Sequence, residues 1–172
     1  MIKSLIVVLC FLWASIALAQ SAEFTVKKVI EVTANATIVV ALEKDGKIVP
    51  VPVRLKGIIY PKGQQSLSDL VAALKEYLKE AENTQFRIVS VSDEFELTET
   101  GILLCGVEVL SNRIAKSGAR VSGSQDLVAN LLNFGSCTYD GSLGEKDASR
   151  HKAYSTTQDH AKNNLFGVWS TE

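Results

Sequence analysis

Arg54 is the first residue whose chemistry stands out. It lies in the apolar, β-branched run Val49 to Leu55. Lys56 and Lys62 follow it closely. A guanidinium fork beside two ammonium groups can neutralise a phosphate or a carboxylate. Arg54, Lys56 and Lys62 are therefore the candidate ligand-binding residues, for a nucleic-acid or a protein ligand. The competing reading makes Arg54 structural, its stem covering apolar neighbours and its fork bonded to carbonyls or to an acid.

Other groups carry weaker signals. The acidic run Asp93-Glu94-Phe95-Glu96 lacks the glycine and the oxygen spacing of a calcium loop, which favours a solvated hairpin. His151 and His160 have no second pair of ligands at zinc spacing. No metal site is expected. Arg113, Lys116 and Arg120 form the best local basic cluster, read as a solvated loop. Cys105 and Cys137 are an even pair once Cys10 is set aside. In an exported chain a disulfide between them is permitted, and its loop of roughly 30 residues would contribute about 3–4 kcal/mol. Two small buried thiols are the alternative.

The elements that position these groups begin after a targeting segment. Lys3, the apolar run Leu5 to Ala14, and Ala17-Leu18-Ala19 fit a signal peptide over residues 1–19. No cysteine directly follows, which argues against a lipid anchor there. No later stretch is apolar for long enough to span a membrane. The chain is expected to be exported, to the periplasm or the medium, with residues 24–172 as one domain. Its 18 Lys and Arg face 19 Asp and Glu, a net charge of −1, so it lacks the basic excess of a dedicated nucleic-acid binder.

Residues 24–32 alternate as a strand. Thr37–Leu42 and Lys47–Leu55 form a hairpin about Asp45-Gly46. Pro50 and Pro52 cannot donate ladder bonds, so their nitrogens must face away from a partner. Ser66–Glu82 is an amphipathic helix, with Ser66 and Asp69 at capping-box spacing. Strands follow at 86–91 and 102–110, then a loop at 111–123. Helices follow at 125–134, closed by Gly135, and at 145–165, with Ala148, His151, Tyr154, Gln158, Ala161 and Leu165 on one stripe. Trp169 is expected to pack back on the core. Five strands with a helix between the third and fourth predict an α+β, mainly β fold: a five-stranded OB-type barrel with three helices.

In this order, several pieces resemble the staphylococcal nuclease (thermonuclease) family over residues 26–169. They are Val53-Arg54-Leu55-Lys56-Gly57-Ile58 with Pro61, the helix from Ser66, and Gly101 before a strand. The helix Leu127…Leu131-Leu132…Gly135 and the ending Gln158-Asp159-His160-Ala161-Lys162…Leu165-Phe166-Gly167-Val168-Trp169 complete the set. The resemblance implies phosphodiester hydrolysis with one calcium ion, two arginines and a glutamate. Carboxylates would hold the hard cation, and the arginines would stabilise charge on the phosphoryl oxygens. Of the five positions, only the arginine at Arg54 is retained. The two metal aspartates correspond to Ala36 and Ile59, the glutamate to Lys62 and the second arginine to Ile102.

The resemblance thus implies a degenerate active site with no catalytic residues and no cofactor. The expected function is an exported, catalytically inactive nuclease-like domain that acts as a binding or scaffold module. A divergent secreted calcium-dependent nuclease is the alternative, and a structural partner in an envelope assembly the second.

Overall fold

The computed structural model describes residues 23–80, 85–91, 95–114 and 120–170, with backbone alone at 23, 80, 111–114 and 120–122. The signal-peptide expectation for residues 1–19 lies outside the described residues, as do Asp93, Glu94 and Lys116 and the side chains of Arg113 and Arg120.

The chain opens as a meander: β1 (Glu23–Val32), β2 (Ile38–Lys44) and β3 (Lys47–Leu55). Asp45 and Gly46 both take positive φ, +52° and +71°, as the tight turn between β2 and β3 requires. Lys44 and Lys47 close the hairpin. β4 (Ile58–Ile59) leads to α1 (Gln64–Glu80). β5 (Gln85–Val89), β6 (Glu96–Leu97), β7 (Leu103–Ile114) and β8 (Arg120–Asp126) follow. α2 (Leu127–Asn133), β9 (Thr138–Tyr139), α3 (Ala148–Asn163) and a 3-10 turn at Gly167–Trp169 complete the order.

Five strands close a mixed barrel. β1 pairs antiparallel with β2 and with β5, β2 with β3, and β5 with β7. The ring is completed by a parallel pairing of β3 with β7, Val53 to Leu103 through Leu55 to Cys105. The α+β OB-type barrel with three helices is thus the observed architecture. β7 meets only Val53–Leu55 of β3, so Pro50 and Pro52 lie outside that second ladder. Alternate residues fill the interior: Ile38, Val40 and Leu42 from β2, Val51, Val53 and Leu55 from β3. α1 adds Leu70 and Leu74, both fully buried, each contributing about 1.5–3 kcal/mol.

Several local expectations change. Residues 111–123 are not simply a loop: β7 runs on to Ile114 and β8 returns along it, from Glu108 opposite Asp126 to Ile114 opposite Arg120. Backbone pairing builds this ribbon, so it needs no apolar alternation and leaves none in the sequence. Helix α1 starts at Gln64, with Leu67 N–H bonded to Gly63 O at 3.0 Å. Ser66 therefore lies within the first turn and caps nothing, and Asp69 accepts from Gln65 Nε2 at 3.0 Å. The last helix ends before Leu165, which takes φ +53° and stands 59 % exposed, off the expected stripe. Trp169 is half-buried on the end of α3, with Lys162 Nζ 4.6 Å from its ring centroid, rather than in the core. Gly135 is needed where it stands: a Cβ there would meet the Phe166 carbonyl oxygen at 2.2 Å.

Candidate functional site

Arg54 alternates with Val53 and Leu55, whose side chains point into the barrel, so its own side chain leaves the core. It reaches the turn between β1 and β2. That turn is self-bonded: Thr33 N–H donates to Thr37 O at 2.9 Å, and Ala36 N–H to Thr33 O at 3.0 Å. Arg54 Nη2 donates to Asn35 O at 2.8 Å and Nε donates to Thr37 Oγ1 at 3.3 Å. The guanidinium carbon lies 4.6 Å from the Tyr60 ring centroid. Tyr60 in turn donates its hydroxyl to Leu55 O at 3.1 Å. Burial raises the Tyr60 pKa well above the usual phenol value, so the ring stays neutral under Arg54. Among the described residues no carboxylate pairs with Arg54.

The structure does not gather the three expected cations into one site. Lys56, with only 11 % of its side chain exposed, is paired with Glu96. Glu96 is the described part of the acidic run's charge, and Phe95 beside it is buried against Phe24, centroids 5.5 Å apart. Lys62 is exposed on the segment before α1. Ala36 is 1 % exposed, with φ +58°, and Ile59 is 52 % exposed. Neither side chain offers an oxygen, so the two positions do not fit a calcium ion. Ile102 is half-buried and supplies no second fork. The arrangement braces a turn against a strand and a ring. Among the described residues, no three His, Cys, Asp or Glu side chains are grouped to hold a metal ion.

The remaining candidates are separately engaged. His151 Nδ1 lies 2.7 Å from the Tyr139 hydroxyl, and His160 stacks edge-on with Phe166. Cys105 and Cys137 are free, buried thiols. Burial pushes each thiol up to about 12, which removes the thiolate that nucleophilic chemistry needs.

Sequence reasoning missed the largest polar cluster among the described residues, which centres on Arg150. Its guanidinium reaches Glu108 Oε1 at 3.3 Å, Asp126 Oδ2 at 3.5 Å and Asp147 Oδ2 at 3.1 Å. It also donates to Ser90 O at 3.3 Å. Arg87 binds the other Glu108 oxygen at 2.6 Å. Asp126 caps α2 by accepting from Val128 N at 2.8 Å and Ala129 N at 3.2 Å. Its second oxygen accepts from the buried Tyr154 hydroxyl at 2.7 Å. Burial, then the Asp126 charge, raises the Tyr154 pKa strongly, so this hydroxyl remains a donor. Burial alone would lower the Arg150 pKa; the carboxylates of Asp126, Asp147 and Glu108 outweigh it and raise the value. The cluster ties β5, β7, α2 and α3 together. Asp147 and Arg150 at helical spacing, and Asp126 just before a helix, were its only local signals.

A scan of the chain against protein-family models matches none, and a search of curated proteins returns no relative.

Proposed function

We propose that this chain is an exported, staphylococcal-nuclease-like domain without catalytic activity, working as a binding or scaffold module outside the cytoplasm. One observation carries the reading. The only retained arginine of the family's site is bonded to Asn35 O and Thr37 Oγ1 and lies over Tyr60, while Ala36 and Ile59 stand at the two carboxylate positions. Phosphodiester hydrolysis of the family's kind draws on a cation, two forks and a base, and each such group typically supplies several kcal/mol of transition-state stabilisation. With one fork left, and that one engaged, little rate enhancement is supported. An OB barrel keeps surfaces on which a ligand can be held without chemistry.

The test is an incubation of purified protein with single-stranded DNA and RNA, with and without calcium. No cleavage above background is expected in either condition. Calcium-dependent cleavage that Arg54→Ala abolishes would overturn the inactive reading. Cleavage that persists in Arg54→Ala would overturn it as well and move the active site elsewhere.

A further inference from the structure

A cavity of about 620 Å³ lies between β1 and the C-terminal half of α1, within the usual range for small-molecule sites. Four of its lining residues are lysines: Lys27 and Lys28 from β1, Lys75 and Lys79 from α1. The pairing of β1 with β2 is irregular twice here, between Val26 and Lys28 and between Val29 and Glu31. A regular strand sends neighbouring side chains to opposite faces. A register shift such as that between Val26 and Lys28 re-aims them, and Lys27 and Lys28 both line the cavity. Across it, Lys75 and Lys79 are a like-charge pair at one-turn spacing, which works against the helix that carries them.

The charge is poorly compensated. Lys27 pairs with Glu43 at 2.7 Å. Among the described residues, Lys28, Lys75 and Lys79 make no ion pair. Glu31 is the one acidic residue in the lining. A chain of net charge −1 thus collects four ammonium groups around one concavity. A cleft lined by one sign of charge focuses its field and concentrates counter-ions. The wall is not polar throughout: Val29 is half-buried, the buried Leu78 and Phe86 close the floor, and the lysine stems add methylenes.

We infer that this cavity binds a monomeric anionic amphiphile, an alkyl or acyl chain ending in a phosphate or carboxylate. The head satisfies Lys28, Lys75 and Lys79, and the chain lies along the half-buried Val29 and the lysine methylenes. A nucleic-acid strand would use the lysines and leave the apolar wall idle, because Phe86 is only 5 % exposed and cannot receive a stacked base. A bilayer surface is too broad to enter the concavity. The inference deepens the binding-module reading but shares no residue with the Arg54 mouth, so either can fail alone.

The experiment is calorimetric titration of the purified full chain with dodecyl phosphate kept monomeric. Saturable one-to-one binding that weakens with added salt is expected. Lys75→Gln/Lys79→Gln should weaken it about tenfold, as two lost charge contacts would. Lys28→Ala, on the opposite wall, should weaken it independently, which keeps the test open if the helix variant unfolds. Lys152→Ala, an exposed lysine of α3 outside the cavity, should bind as the parent does. Equal affinity for inorganic phosphate would remove the apolar chain from the ligand and overturn the amphiphile assignment. Equal affinity for dodecyltrimethylammonium would remove the charge. Binding only to vesicles of anionic phospholipid, absence of binding, or indifference to all three lysines would each overturn the site.

Discussion

Arg54 and Arg150 are both half-buried arginines at the barrel surface, and their surroundings differ in kind. Arg54 meets a carbonyl, a hydroxyl and an aromatic face. Arg150 meets three carboxylates, with Arg87 as a second cation on Glu108. Neutral acceptors can return to water when their donor is removed. Carboxylates held together by a cation cannot, because their mutual repulsion remains in a poorly solvated place. The position that resembles an active site is therefore expected to matter modestly to stability. The cluster with no such resemblance should be the stronger fastening.

The largest expected effect is that of Arg150→Met. Glu108 and Asp126 are 14 % and 21 % exposed, so losing their shared cation should cost about 3 kcal/mol. Thermal or urea unfolding reads this directly, as a fall in Tm of roughly 10 °C. Arg54→Met comes next, at about 1 kcal/mol for two hydrogen bonds to neutral groups and one ring contact. If Arg54→Met were the more damaging of the two, the contrast between the regions would be wrong.

The smallest effect separates burial from charge. Burial pushes the Cys105 and Cys137 thiols up to about 12 from an ordinary thiol value of 9.0. Between these values the unfolded chain gives up protons that the folded chain keeps. Each thiol's contribution is thus complete below pH 9 and is lost as pH rises toward 12. Around pH 10 the loss is about 1 kcal/mol per thiol. Urea unfolding of Cys105→Ala at pH 8 and pH 10 should show a shallower decline than the parent. An identical decline would mean that the thiol is not shielded as its burial implies.

Much of the fold is legible in the sequence. Lys47–Leu55 is the strand expected, the Asp45-Gly46 turn has the expected left-handed backbone, and the barrel has the expected strand order. These features depend on near neighbours: alternation, helical spacing and turn chemistry all act within a few residues. The misses have a common cause as well. The ribbon of β7 and β8 is backbone pairing between polar segments. α1 begins at Gln64, two residues before Ser66, because the backbone bond from Leu67 N–H to Gly63 O closes its first turn.

Site chemistry divides in the same way. By residue type alone, the sequence determined that Ala36, Ile59 and Lys62 supply no carboxylate. It also determined the barrel, because hydrophobic alternation forces each strand to bury one face. What the charged side chains do was settled when the chain folded. Arg54 turns to the Asn35 carbonyl, Lys56 to Glu96, and Arg150 to Glu108, 42 residues away. A register shift between Val26 and Lys28 lies where β1 brings Lys27 and Lys28 into the same cavity as Lys75 and Lys79. The physical reason is range. Burial patterns repeat along the chain and can be read there. An ion pair needs two side chains within about 4 Å, and their closeness is fixed only when distant strands close into a barrel.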